Sequence, residues 1–146
     1  MPIVKIVILN WNGAEHLRRF LPSVVAAAPA GVEVVVADNG STDDSLRVLA
    51  TEFPSVGVLR LDANYGFAGG YNRALEQVRA DYYLLLNSDI ETPEGWLAPI
   101  LDVLEREPDV AVVSPKLISW TDRTKFEYAG ASGGFIDFLG YPFCRG

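Results

Sequence analysis

The chain has 146 residues, 49% of them hydrophobic, and a formal net charge of -7, which is apolar material for one substantial core and scarcely for two. So acidic a balance offers no basic face for a phosphate backbone, so nucleic-acid binding is not expected and an anionic substrate would need an accompanying cation. Cys144 is the only cysteine, which excludes an intrachain disulfide and a cysteine-built zinc site and fits a reducing compartment.

Residues 3–9 read as a first strand. They carry no basic lead and no cleavage signature, and no apolar stretch of the chain is long enough to span a bilayer. Asn12, with Glu15 at the third helical position, is a helix-start signal, and Leu17, Phe20, Leu21 and Val24 recur at helical spacing as the buried stripe. Pro22 is expected to bend that helix. His16, the only histidine, falls on the polar side.

A second, β-branched strand over residues 32–38 ends in a carboxylate, Asp38. Ser41, with Asp44 three residues on, opens a second helix that turns Leu46, Leu49 and Phe53 to one face. A third strand covers residues 56–61. The glycine-rich segment Asn64-Tyr65-Gly66-Phe67-Ala68-Gly69-Gly70 reads as a turn, and Tyr71, Ala74, Leu75 and Val78 mark a third helix after it.

Residues 82–89 form a buried-strand pattern closed by Asp89, the second strand-end acid. Thr92 is expected to cap and Pro93 to open a fourth helix with Trp96, Ile100 and Leu104 in its stripe, and residues 110–113 read as a fifth strand. Beyond Pro115 the pattern loosens. Residues 120–128 suggest a hairpin, and Gly130-Ala131-Ser132-Gly133-Gly134 a flexible turn. The chain then stops without a terminal helix, as if cut from something longer.

Alternating strands and helices predict an α/β fold with a mostly parallel sheet flanked by helices. In such sheets ligands bind beyond the carboxyl ends of the strands, so Asp38 and Asp89 outline a pocket. Each has a plainer reading. Asp38-Asn39-Gly40-Ser41 also spells a turn with a helix cap, and Asp89 could cap the helix that follows, although Thr92 already fills that position. Asn39-Gly40-Ser41 is a glycosylation sequon without a secretory signal to support it. For Asn72 and Arg73 solvated or capping roles are the default, and for Trp11 the role of an anchoring aromatic at a strand end.

Four segments in order carry a resemblance: Ile8-Leu9-Asn10-Trp11-Asn12-Gly13, Ala37-Asp38-Asn39-Gly40-Ser41-Thr42-Asp43, Asn64-Tyr65-Gly66-Phe67-Ala68-Gly69-Gly70-Tyr71-Asn72 and Leu85-Leu86-Asn87-Ser88-Asp89. Through them the chain resembles the N-terminal nucleotide-sugar-binding part of inverting family 2 glycosyltransferases, most of all the rhamnosyltransferase-like members, up to about Pro115. The resemblance implies a Rossmann-like glycosyltransferase-A fold, with residues 1–115 as the nucleotide-sugar-binding domain and 116–146 as the incomplete start of an acceptor-side region. It implies transfer from a UDP or dTDP sugar, rhamnose among the candidates, to a glycan or lipid-linked acceptor. The protein would then be cytoplasmic, at the inner face of the membrane and in peripheral contact with it.

By the same carry-over Asp89 is the ligand of Mg2+ or Mn2+, Asn87 stands where a first acid is usual, and Asn87 and Ser88 face a ribose hydroxyl. Asp38 accepts the imide proton of uracil or thymine, Leu9 and Asn10 border the base and ribose, and Asn39 belongs to the same nucleotide-binding group. Gly66 lets the third loop pass close to the nucleotide. Phe67 either walls the pocket or joins the core. An inverting transfer also needs a carboxylate base. Asp122, Glu127 and Asp137 are isolated acids, so the base is expected beyond Gly146.

Other enzyme classes fit less well. Gly130-Ala131-Ser132-Gly133-Gly134 matches a hydrolase nucleophile pattern, but no histidine follows it. No dinucleotide fingerprint follows the first strand and there is no phosphate-binding loop with its lysine. Two alternatives stay open: a sugar-nucleotide pyrophosphorylase, although its glycine- and basic-rich loop after strand one is missing, and a non-catalytic nucleotide-sugar-binding domain.

Overall fold

The computed structural model describes residues 2–128 and 132–144, which form two compact units, Met1–Trp96 and Leu97–Gly146. The first holds β1 (Val4–Asn10), α1 (Ala14–Ala27), β2 (Glu33–Asp38), α2 (Ser45–Glu52), β3 (Gly57–Arg60), α3 (Gly66–Gln77) and β4 (Tyr82–Asn87). Its four strands are parallel in the order β3-β2-β1-β4. All strand ends of one kind therefore share one edge, and the tip of β1 lies between those of β2 and β4.

Alternation along the strands sorts the side chains between two layers. Ile6, Ile8 and Val36 face α1 and α2 and pack with Leu17, Leu21, Val24, Val48 and Leu49. Val7, Val35 and Ala37 face α3 and pack with Tyr71, Ala74 and Val78. Each such aliphatic side chain contributes about 1.5–3 kcal/mol by leaving water. The stripe read for the first helix is buried throughout, at Leu17, Phe20, Leu21 and Val24, and Pro22 sits inside an unbroken helical span.

Several local expectations are corrected. The second helix buries Ser45, Val48 and Leu49 and Phe53 packs half-buried against the same layer, so of the expected face Leu49 and Phe53 turn inward, while Val48 takes the fully buried place expected of Leu46, which is only half-buried. The glycine-rich segment is not a turn before a helix, because α3 already begins at Gly66. Asn64 Oδ1 accepts the Gly66 N–H at 2.8 Å, so a side chain preceding the glycines starts the helix that they seemed to forbid. β4 is not a buried strand. It lies at the sheet edge and its residues alternate, with Tyr83 and Leu85 40% and 53% exposed on the α3 side.

Thr92 caps nothing, since its hydroxyl has no partner and its N–H donates to Ser23 Oγ. The fourth helix, α4 (Ala98–Arg106), opens later than Pro93, and Trp96 packs instead with the α1/α2 layer of the first unit. In the second unit residues 110–113 pair with no strand among the described residues, and Val112 is 82% exposed. A hairpin is present but starts earlier than the expected 120–128, with a bridge between Ile118 and Phe126, and a second one pairs β5 (Gly134–Ile136) with β6 (Pro142–Cys144). Gly130 and Ala131 of the predicted turn, and Arg145 and Gly146 at the end, lie outside the described residues. No helix among the described residues is long and apolar enough to cross a membrane.

Candidate functional site

The carboxyl edge of the sheet is where the chemistry-bearing residues of the first unit collect. Register sets Asn10 beside Asp38 and Leu9 beside Asn87, so Ser88 and Asp89 follow on β4 just past the tip of β1. At the other edge, residues of α1, β2 and β3 line a surface depression of about 460 Å³ that includes Val25, Val32 and Gly57. None of the predicted site residues lies there.

The tip of β2 is a closed network. Asp38 and Asn10 are buried, Asp38 Oδ1 accepts from Asn10 Nδ2 at 3.1 Å and Oδ2 from the Ser41 N–H at 3.0 Å. Asn10 Nδ2 also donates to Ser41 Oγ at 3.2 Å, whereas Asn10 Oδ1 is buried without a partner among the described residues. A carboxylate oxygen has room for more than one donor, so each Asp38 oxygen retains acceptor capacity. Gly40 is required here twice over, by its φ of +74° and by Ala63, whose backbone carbon a Cβ would meet at 2.7 Å.

Two loops interlock above this network. The N–H groups of Asn12, Gly13 and Ala14 donate to Ser41 Oγ, Ser45 Oγ and Asp43 Oδ2 at 2.9, 3.2 and 3.0 Å. In return Asn12 Oδ1 accepts the N–H groups of Thr42 and Asp43 at 2.7 and 3.3 Å. The first helix is thus capped from the neighbouring loop, where the sequence suggested Asn12 as a local cap. Burial alone would raise the Asp43 carboxyl, but hydrogen bonds from the Ser45 side chain and the Ala14 and Ser45 N–H groups hold it below the ordinary carboxylate range.

Asn39 ties in the third loop. It is buried, with Nδ2 donating to Asn64 Oδ1 at 3.0 Å and to the Gly66 carbonyl at 3.1 Å, and Oδ1 accepting the Tyr65 N–H at 3.0 Å. Its amide is spent on shaping the site. Leu9 packs half-buried in the α3 layer. Gly66 is needed for its φ of +69°, not for crowding, since a Cβ there would meet nothing within 4 Å. Tyr71 anchors α3 by donating its hydroxyl to the Leu86 carbonyl at 2.9 Å, and burial pushes that hydroxyl above its ordinary range.

The tip of β4 is the opposite of the tip of β2. The side chains of Asn87, Ser88 and Asp89 make no hydrogen bond with any described residue, and Asn87 and Asp89 are exposed. No group of three or more histidine, cysteine, aspartate or glutamate residues suited to a metal occurs among the described residues. The donor set fits Mg2+ or Mn2+ only in the manner of ions held by one or two carboxylates, water and substrate phosphates.

Trp11 departs from its expected anchoring role, and Phe67 from the core alternative of its two. Trp11 is 56% exposed and anchors no core, and Phe67 is 67% exposed, with its ring edge-on to Tyr71 at 5.1 Å. Trp11 lies on the loop after β1 and Phe67 in the first turn of α3. Of the three isolated acids, two are tied into turns: Asp122 accepts from Thr124 and pairs with Lys125, and Asp137 accepts the N–H groups of Leu139 and Tyr141, whereas Glu127 is exposed. The interlocking residues Asn12, Ser41, Asp43 and Ser45 were not singled out as a unit by sequence. Asn12 and Ser41 carry a signal only as helix-start letters, and Ser45 carries none.

Among known proteins, the sequence model described as Glycosyl transferase family 2 matches residues 5–138. The chain is 28% identical over 124 residues to an N-acetylglucosaminyl-diphospho-decaprenol L-rhamnosyltransferase of Mycobacterium tuberculosis, covering 77% of this chain and 40% of the relative. It is 33% identical over 115 residues to an undecaprenyl-phosphate 4-deoxy-4-formamido-L-arabinose transferase of Sodalis glossinidius, covering 73% and 35%. Its structure is similar to that of S. aureus TarS in complex with UDP-GlcNAc, with a TM-score of 0.63 and 20% identity over 80% of this chain and 38% of that one. It is also similar to the mannosyltransferase PcManGT of Pyrobaculum calidifontis in complex with GDP-Man and Mn2+, with a TM-score of 0.55 and 23% identity over 66% and 32%. The chain spans 40% or less of each of these four proteins.

Proposed function

The chain belongs to glycosyl transferase family 2, and from that premise we propose that it binds the donor for an inverting, metal-assisted transfer of a sugar from UDP or dTDP to a glycan or lipid-linked acceptor. Its fold is the Rossmann-like glycosyltransferase-A fold. Family membership also removes the pyrophosphorylase alternative. One observation carries the reading: three consecutive polar side chains, Asn87, Ser88 and Asp89, have no hydrogen-bond partner among the described residues at the tip of β4, across β1 from a hydrogen-bonded tip of β2.

In this reading Asp89 holds Mg2+ or Mn2+ together with the donor phosphates, and the ion, when bound, offsets the charge that builds on the departing diphosphate. Asp38 offers its spare acceptor capacity to the imide N–H of uracil or thymine, which cytosine lacks, and because Asp38 is only 2% exposed the loops over the tip of β2 must part to admit the base. Asn87 and Ser88 hydrogen-bond a ribose hydroxyl, and Leu9 and Asn10 border the base and ribose. Asn39 and Gly66 hold the third loop against them. Trp11, exposed at the tip of β1, is free to stack on the nucleotide.

Residues 1–115 form the nucleotide-sugar-binding part in this proposal, and 116–146 begin the acceptor side. The base remains unassigned: Asp122 and Asp137 are committed to their own turns, and Glu127 is a single exposed acid with nothing beside it among the described residues to mark it as a base. Taken alone the chain is therefore expected to bind donor and metal and to turn over little. The lipid-linked substrates named for two relatives support a lipid-linked acceptor, and with such an acceptor we place the reaction at the cytoplasmic face of a membrane, in peripheral contact with it.

Calorimetric titration with UDP, dTDP and ADP, with and without Mn2+, tests the reading. Binding of UDP or dTDP that requires the metal supports it. Metal-independent binding with ADP preferred contradicts it.

A further inference from the structure

Asn12 is the one residue other than glycine, among those described, whose backbone is left-handed, with φ +49°. Such a conformation is costly for an ordinary side chain, and asparagine and aspartate tolerate it best. Strain of this kind persists where the surroundings hold it, often at functional sites. Here they do hold it, through the Asn12 N–H on Ser41 Oγ and the Thr42 and Asp43 N–H groups on Asn12 Oδ1.

Every side-chain bond that Asn12 makes is accepted by Oδ1. The Thr42 hydroxyl reaches the same oxygen at 3.4 Å, while Nδ2 has no partner among the described residues and the residue is exposed. Bracing the loop needs only the oxygen. An aspartate would supply it as a charged, stronger acceptor for the same N–H groups. Repulsion from Asp43 and Asp44 is a weak reason for the amide, since Asp43 accepts from the Ala14 and Ser45 N–H groups and Asp44 pairs with Arg47 at 2.6 Å.

The position matters as much as the chemistry. Ser41 Oγ, which takes the Asn12 N–H, also takes Asn10 Nδ2, and Asn10 Nδ2 reaches Asp38 Oδ1. Asn12 therefore belongs to the same connected network as the tip of β2. We propose that Asn12 divides its side chain, with Oδ1 bracing the loop and Nδ2 donating a hydrogen bond to an acceptor oxygen of the bound nucleoside diphosphate. This inference rests on the donor-binding reading above.

The test compares the wild-type chain with Asn12→Asp, using UDP and Mn2+ as probe, by calorimetry at low and high salt and by thermal melting. Asn12→Asp should melt close to the wild type because the brace survives. It should bind UDP about tenfold or more weakly, as for a lost hydrogen bond to a charged partner, and the loss should persist at high salt, where repulsion between exposed charges is screened.

A second measurement needs no variant. The Asn12 side-chain amide signals in a 15N–1H spectrum should shift when UDP and Mn2+ are added. Unchanged affinity in Asn12→Asp, a loss that high salt abolishes, or unshifted amide signals on saturation would each overturn the proposal while leaving donor binding intact. A wild-type chain that binds no nucleoside diphosphate overturns the donor reading and this inference with it.

Discussion

Gly70 sits inside α3, where alanine is ordinarily the better residue by about 1 kcal/mol. Its missing side chain is nonetheless required, because a Cβ would lie 2.8 Å from Leu9 Cδ1 and 2.9 Å from Asn39 Nδ2. Gly70→Ala should therefore destabilise the chain by about 1–3 kcal/mol in urea unfolding, and a gain in stability would show that Leu9 and Asn39 yield. Asn39→Ala leaves the Tyr65 N–H and Asn64 Oδ1 short of a partner. A loss of about 2–4 kcal/mol is expected, with faster hydrogen exchange at the Tyr65 amide. An unchanged exchange rate would mean that Asn39 does not hold the loop.

The same residues show what sequence could and could not reveal. Asp38 and Asp89 were legible as strand-end acids because a run of β-branched or apolar residues ending in a carboxylate has few structural uses. That Asn39 faces inward was not legible, since an asparagine in a turn is equally at home in solvent. Only the loop from a third strand supplies the partners that bury it.

Interlocking loops join the starts of α1 and α2 more than either cap of its own does, since neither helix has a side-chain cap bond from its N-cap residue. Asp43 is the hinge of that arrangement. Its carboxyl is depressed in the folded chain, so it contributes stability that is present above the unfolded value, about 3.9, and lost as pH falls through the folded value. Asp43→Asn should cost about 0.5–2 kcal/mol at neutral pH, as for a lost helix cap, and should flatten the acid limb of a stability–pH curve. An acid limb as steep as the wild type's would remove Asp43 from that role.

At this scale periodicity served well where one face of an element is buried, as in α1, and poorly where a partner outside the element decides. α3 begins among glycines because Asn64 and Asn39 secure its first turn. The 110–113 segment has the composition of a strand but no neighbour among the described residues, and β propensity without a pairing partner does not make a strand.

Across the first unit, a sheet order of β3-β2-β1-β4 brings the acid-bearing ends of β2 and β4 to either side of β1. The fold class was legible from alternation alone, whereas the edge position of β4 was not, because an apolar strand reads the same with one neighbour or two. Leu85 is 53% exposed on that edge strand, so Leu85→Lys should change the stability of this chain by no more than about 0.5 kcal/mol in thermal or urea unfolding. A larger loss would show that the α3 side of β4 is covered.

In the proposed division of labour the braced tip recognises the base and the other tip, whose side chains have no hydrogen-bond partner among the described residues, takes the metal, which makes Asp89 decisive. Electron paramagnetic resonance of Mn2+ titrated with the chain, with and without UDP, measures it directly for the wild type and Asp89→Asn. The wild-type chain should bind the ion weakly alone and tightly with UDP, and Asp89→Asn should lose the UDP-dependent binding. Equal Mn2+ binding with and without UDP, or an Asp89→Asn chain indistinguishable from the wild type, would contradict the account.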